Sequence, residues 1–544
     1  MIKIENDTFY ISAGEACYIF KIADGVPTHT YFGKRVEPED DLSALGCGGK
    51  TKELYVQAVT GGKKKELDFS FVDAWIMKDD DGNDKSLVVE LCDDNAKLKA
   101  TMYYTPHPRG GIYRRVTIKH TDSGDVQLAL VRQSIGCGCA DNVDNNSKDC
   151  EFFSAFGGEY SGDAYGFLCP NGDGNVAVKQ SGDGITATCE IGATITIYDF
   201  DTAECPELLC VYSDIGKGGM SRIFHDILRE DGEDEHLSER AAVLFLPKME
   251  LMQIVAAVKA AGELGFGVVA LDGGRHTRDE IYALGVACKE NGLIAGLRIN
   301  REFIEETSAL RTNICKAFDG IYKYDNSDEH TAMLYHAVRY SLSNFDIKYV
   351  MIDAPKNATS RDVARGMFAL RNMIKYKFED IFGDLRVDFC LRSDDVKAYT
   401  AYYPLTFIRN IINPTPENFK SRFDVATLGA LGYEFNPTEL SDGIKRAVRG
   451  QILSYQDDAR CVLRGDIYSY GNGVCRMAVR KDKSRAYAVC FSKGERIKFL
   501  GLDEHNIYNV RELNKTFSGA ALVHCGIAVG EGTYVFHILQ VADY

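Results

Sequence analysis

Several acidic side chains stand where runs of strand-forming residues end. Asp272 closes VVALD, Asp325 closes GIYKYD, Asp353 closes YVMID, and Asp394 and Asp395 follow LRVDFCL. Carboxylates gathered at one mouth, with no His/Cys metal set beside them, suit glycoside hydrolysis: one attacks or stabilises the anomeric carbon and the other transfers a proton. The same spacing is met by acids that cap the following helix or stay solvated, and spacing alone leaves both readings open. Other chemistries find less support. The chain has no GxSxG elbow, HExxH pair or Walker loop. Its 11 histidines are scattered, and His225 in RIFHDIL reads as a packing or capping residue. DDDGNDKS at 79–86 lacks the distal Glu of a calcium loop and reads as a hairpin turn. The 17 cysteines are odd in number and contain no CxxC pair, so neither a disulfide framework nor a zinc ribbon is indicated; Cys137 and Cys139 read as buried strand cysteines. No metal and no cofactor is expected.

Elements must position these acids. Between about 240 and 455, short apolar strands alternate with amphipathic helices: VLFL, VVALD, IAGLRI, GIYKYD, IKYVMID, LRVDFCL, FIRNII and FDVATLG, mostly each followed by a helical segment. That alternation predicts a (β/α)8 barrel, whose strand C-termini form the mouth, and counts Asp353 onto the fifth strand. A doubly wound sheet is the alternative, but no Gly-rich phosphate loop follows the first strand. Residues 1 to about 215 are almost all strand, as in KLKATMYYT and GIYRRVTIKH, which predicts a large antiparallel sandwich. The texture changes at GKGGMSRIFHDILRED, and strands return from about 456 with GDIYSY, VCRMAVRK, RAYAVCFS, RIKFLGL, IYNVREL, AALVHCG and TYVFHILQV. The expected domains are therefore 1–220, an N-terminal β-supersandwich; 221–455, the barrel; and 456–544, an antiparallel β-sandwich.

Composition narrows the partners. At 544 residues, with 45% hydrophobic and 26% charged, the chain can bury several cores. A formal charge of -16 argues against nucleic acid and anionic membrane, which need clustered Lys and Arg, and favours a neutral substrate. The N-terminal MIKIENDTFYISAGEACYIF has no basic and apolar signal pattern, and no apolar run approaches the ~18 residues of a membrane span. A cytoplasmic location is expected.

Several colinear segments resemble the bacterial α-galactosidases of glycoside hydrolase family 36. They are YFGKRV at 31–36, MSRIFHDILRE at 220–230, GIYKYDNSDEH at 320–330, ATLGALGYEFNP at 426–437, RGDIYSY at 464–470 and FLGLDEHNIYNVREL at 499–513. The resemblance implies the same three-domain architecture, a carbohydrate substrate such as an α-galactoside or related oligosaccharide, and a homo-oligomer as the assembly to look for. It also implies roles. YVMIDAPK lies where the family has its nucleophile motif, giving Asp353 that role. RSDDVKA lies at the acid/base motif, giving it to Asp394, with Asp395 as the fallback one register along. Asp272, Arg298, Glu302, Asp325 and Asp395 fall at positions implied to contact substrate.

The chain departs from the family at its sugar-binding positions. The lysine two places before the nucleophile is Met351 and the intervening tryptophan is Ile352. The acidic motif after the second strand is reduced to LDGGR, the third-strand tryptophan is Arg298, and the Cys-Ser-Gly-rich loop before the acid/base is absent. Each lost polar contact to a buried hydroxyl is worth about 1–3 kcal/mol. Stacking surface is scarce too, since the single tryptophan, Trp75, lies in the N-terminal region. Two further readings therefore stand beside the α-galactosidase. One is a carbohydrate-binding homologue that has lost catalysis. The other is a glycosidase for a different sugar, in which Arg275 and Arg298 recruit an anionic or modified group.

Overall fold

The computed structural model describes most of residues 1–38, 51–137, 142–231, 242–299, 345–353, 386–390, 409–412 and 419–541. The chain divides into two compact units, Met1–Asp231 and Gly232–Tyr544. The described strands form several sheets, and no described helix is long and apolar enough to cross a membrane.

The described strands of the first unit are antiparallel, in sheets of four, nine and six. Alternating residues drive it: along Leu98–Pro106 buried and half-exposed side chains alternate, so one face joins the core and the other meets water. DDDGNDKS is the expected hairpin turn, joining strands Ser70–Lys78 and Asp84–Asp93, with Asp79 Oδ1 accepting from the N–H groups of Asp81 (3.1 Å) and Asn83 (2.7 Å). Glu53 lies fully buried in the core. Its carboxylate accepts from the hydroxyls of Tyr18 (2.6 Å) and Tyr104 and pairs with Arg114 at 3.4 Å and His29 at 3.4 Å. The helix Gly216–Asp231, which spans the 220/221 division expected from sequence, packs within this unit. Phe224 and Met220 seat against Gly166, where a Cβ would meet the Phe224 ring at 2.4 Å.

Among the described residues, the second unit is built on a seven-stranded parallel sheet. In chain order its strands are β1 (Val243–Leu246), β2 (Val268–Asp272), β3 (Ile294–Ile299), β4 (Ile347–Asp353), β5 (Arg386–Cys390), β6 (Arg409–Ile412) and β7 (Ala430–Glu434). Their spatial order is β5-β4-β3-β2-β1-β7-β6, and the end strands β5 and β6 contact each other. One expectation changes. GIYKYD lies outside the described residues; among those described, β3 pairs directly with β4, which ends in Asp353. FDVATLG is not a strand: Phe419–Ala426 is helical and the strand is the following ALGYE. The run was ambiguous because a short apolar segment fits either period.

One face of this sheet carries a continuous apolar layer of Val243, Phe245, Val268, Ala270, Tyr349 and Met351. Gly296 makes room for it, since a Cβ there would lie 2.6 Å from the Tyr349 ring and 3.1 Å from Ala270 Cβ. Burying side chains of this size contributes about 1.5–3 kcal/mol each. Helix Arg278–Glu290 is held close to the turn entering β4, with the ideal Cβ of Gly285 only 2.1 Å from the Phe345 carbonyl oxygen. Only glycine tolerates that approach.

The helix Asp442–Arg464 runs past the expected 455/456 division, and antiparallel strands resume at Asp466. They form a six-stranded sheet and a two-stranded one over a core that includes Met477, Phe499, Tyr508 and Phe536. AALVHCG, read as strand, contains a π-helical turn, Ala521–Cys525. Cys475 and Cys490 face each other on adjacent strands and are joined as a disulfide, a bridge that scattered cysteines did not announce. Asp458 on the long helix bonds Arg485 (2.7 Å) and His537 (3.0 Å), tying helix to sheet.

Candidate active site

Parallel strands bring all their C-terminal ends to one edge, and β2, β3, β4 and β7 end there in chemically active residues. The pairing register sets them level: Asp272 on β2 lies opposite Arg298 on β3, Arg298 opposite Met351 on β4, and Met351 opposite Asp388 on β5. Asp353 comes two positions later on β4, opposite Cys390.

Asp272 follows four buried residues and is itself only partly buried. Its carboxylate pairs with Arg275 Nε at 3.6 Å, and its carbonyl accepts from the Arg275 N–H (3.1 Å) and from His276 Nδ1 (2.8 Å). The turn then enters helix Arg278–Glu290 through a reciprocal cap. Glu280 N–H donates to Thr277 Oγ1 (3.4 Å), and the Glu280 carboxylate accepts from Thr277 N–H (2.7 Å). Lys248, beyond β1, donates to that carboxylate (3.1 Å) and to the Arg275 carbonyl. Burial alone would raise the Glu280 carboxyl pKa. The Thr277 N–H, the Lys248 ammonium and neighbouring His276 outweigh it and hold the pKa below the usual glutamate value. These contacts tie Asp272 and Arg275 to the start of the following helix.

Among the described residues, Arg298 is the most buried charge at this edge, its side chain 8% exposed. Nη1 donates to Glu434 Oε2 at 3.1 Å, and the guanidinium carbon lies 5.6 Å from the Phe245 ring centroid. Glu434 ends β7 and is 40% exposed, so the pair reaches from the interior out to solvent. Met351, level with Arg298, has no exposed surface.

The structure thus brings Asp272, Arg298 and the β4 end bearing Asp353 to neighbouring positions. Glu302, Asp325, Asp394 and Asp395, and with them the partner carboxylate expected for Asp353, lie outside the described residues. Among the described residues no three His, Cys, Asp or Glu side chains converge as a metal set. Sequence reasoning missed Glu434 and Phe245. Glu434 ends an apolar strand just as Asp272 does, but placing the last strand one segment early hid it.

No family model matches the chain. Among curated proteins it is similar to α-galactosidase AgaA of Geobacillus stearothermophilus, 22% identical across 68% of this chain and 64% of that one. It is also similar to the bifunctional α-galactosidase/sucrose kinase AgaSK of Mediterraneibacter gnavus, 20% identical across 85% and 63%. The chain therefore spans slightly under two thirds of these relatives' length. Among solved structures, family 36 α-galactosidase AgaB of Geobacillus stearothermophilus superposes with a TM-score of 0.79, 17% identity, and coverage of 99% of this chain and 100% of that one. A variant of AgaA in complex with raffinose gives a TM-score of 0.76 at 17% identity, covering 98% and 100%. The fold of this chain is the fold of those structures.

Proposed function

We propose that this chain, a divergent relative of the glycoside hydrolase family 36 α-galactosidases, is a retaining glycoside hydrolase acting on terminal α-linked galactosides or related sugars. Its architecture in this reading is an N-terminal β-supersandwich, a (β/α)8 barrel closed around the parallel sheet, and a C-terminal β-sandwich. The observation that carries it is the end of β4. Asp353 terminates a strand at the C-terminal edge of a parallel sheet, beside Asp272 and Arg298, where barrel enzymes place their reacting groups.

In the first step an Asp353 carboxylate oxygen attacks the anomeric carbon. The bond to the departing oxygen breaks as Asp394 gives that oxygen its proton. In the second, water attacks the same carbon, loses a proton to the Asp394 carboxylate, and releases Asp353. One water is consumed, and two inversions leave the anomeric configuration unchanged. The two carboxyls then stand about 5–5.5 Å apart.

The test is hydrolysis of 4-nitrophenyl α-galactoside followed by proton NMR. An α-anomer as first product supports the reading, and a β-anomer rejects double displacement. One observation favours a second reading, a sugar-binding homologue without turnover: Met351 presents a buried apolar side chain two residues before Asp353. No turnover on a panel of aryl glycosides, together with calorimetric sugar binding, would select it.

A further inference from the structure

The chain's single tryptophan, Trp75, belongs to the first unit, whereas the candidate active site belongs to the second. It stands on Ser70–Lys78, the end strand of the nine-stranded sheet among the described strands, and is 40% exposed. Its neighbours Ala74 and Ile76 pack against the core, so strand alternation turns Trp75 to the outer face. Pairing sets it in a row across four strands: Trp75 lies opposite Val88, Val88 opposite Tyr103, and Tyr103 opposite Arg115. Val88 fills the position between the aromatic residues and is only 2% exposed. Trp75 and Tyr103 are thus two strands apart, about 10 Å. The Arg115 guanidinium carbon lies 4.4 Å from the Tyr103 ring centroid and braces that ring. Adjacent Arg114 points inward and pairs with Glu53, but the Arg115 side chain makes no ion pair or hydrogen bond among the described residues.

We propose that this row is a second binding surface, separate from the candidate active site, for an extended chain of neutral hexose units. Pyranose rings present apolar faces that stack on aromatic side chains. A separation of about 10 Å is close to the advance of two linked rings, so alternate rings of one chain meet Trp75 and Tyr103. Arg115 offers N–H donors to the hydroxyls between and beyond them. Charge decides the kind of chain. In the adjoining row Asp73 lies opposite Glu90. Lys99 holds Glu90 at 2.6 Å, while Asp73 is exposed. Arg115 and Asp73 therefore bracket the surface with a donor at one end and an acceptor at the other. A polyanion would meet Asp73 and a chain of formal charge -16, and a basic partner would meet Arg115; hydroxyl groups use both. The sheet ends at the strand that bears Trp75, so a ligand longer than the row continues past it. Binding here does not require turnover in the second unit.

Because Trp75 is the only tryptophan, its fluorescence reports on this row alone. The full chain is titrated with mannohexaose and with cellohexaose, neutral β-linked chains that lack the α-linked end the candidate active site would cleave. Galactose and hexagalacturonate are the controls. A neutral hexasaccharide should shift the Trp75 emission saturably to shorter wavelength as the ring leaves water, and galactose, a single ring, should not. Tyr103→Ala and Arg115→Ala should each weaken binding about 10-fold, the size of one stacking or hydrogen-bonding contact. Calorimetry with the same hexasaccharide, which needs no fluorophore, should show a loss of about 10-fold or more in Trp75→Ala and partial recovery in Trp75→Phe. Thermal midpoints show which variants fold, and should one fail, the wild-type titration and Trp75→Phe still decide. No shift with either neutral chain would overturn the proposal. So would affinities within about 3-fold of wild type in both Tyr103→Ala and Arg115→Ala. Tighter binding of hexagalacturonate would make the row an anion site instead. A shift on raising protein concentration without sugar, with sedimentation as a dimer, would make it a contact between two copies of the chain. Either result would overturn the assignment to a neutral chain.

Discussion

Among single residues, the proposed mechanism divides labour between two aspartates, Asp353 and Asp394, that spacing alone could not separate. Asp394 is proposed as the acid that protonates the departing oxygen, so its importance should depend on how much help that oxygen needs. Asp394→Asn is expected to cost about 10³-fold or more on an alkyl galactoside and far less on a 4-nitrophenyl galactoside, whose leaving group is already acidic. Asp395→Asn should stay within about 10-fold of wild type on both substrates. Steady-state kinetics on the two substrates checks this, and a reversed ranking would move the acid role to Asp395. The residue types were legible in sequence because an acid ending an apolar run stands out. The contact between Arg298 and Glu434 was not, since 136 positions separate the partners and their strands, β3 and β7, are not paired in the sheet.

At the scale of elements, the loop after β2 is held by the cap of the next helix. Thr277→Ala removes the hydroxyl that accepts from Glu280 N–H and should destabilise the chain by about 1 kcal/mol. Thermal melting measures that loss, and kcat/KM on a galactoside shows whether the Asp272 loop shifts with it. Glu280 adds a pH dependence. Its folded pKa is depressed below the unfolded value, so its contribution is present above the ordinary glutamate pKa and is lost as pH falls through the folded one. Strand periodicity was readable wherever side chains alternate, as in Leu98–Pro106. It failed at FDVATLG and AALVHCG, short apolar runs whose period is undefined and whose form is decided by packing and turn geometry.

At the scale of the whole molecule, each unit carries a buried polar network that composition could not disclose. In the first unit Glu53→Ala would strand Arg114 without its carboxylate and should cost about 3–5 kcal/mol, seen as a lower thermal midpoint of the full chain. In the second, burial disfavours a charged His537, yet bonds to Asp458 and Glu512 prevail and raise its pKa to about 9. A raised folded pKa means stability that is complete below the unfolded histidine value of about 6.5 and disappears as pH climbs through the folded value. The melting difference between wild type and His537→Gln should therefore be large near pH 6 and shrink towards pH 9–10. A difference constant over that range would show that the imidazolium is not what ties helix Asp442–Arg464 to the sheet.

The central claim is that the carboxylate ending YVMID is a working nucleophile even though its family neighbours have been replaced. The direct measurement is kcat/KM on 4-nitrophenyl α-galactoside for wild type and Asp353→Asn, prepared identically and matched for thermal midpoint. A working nucleophile predicts measurable turnover in the wild type and a loss of about 10⁴-fold or more in the variant, as removal of a covalent nucleophile produces. Equal activity in the two proteins would contradict it.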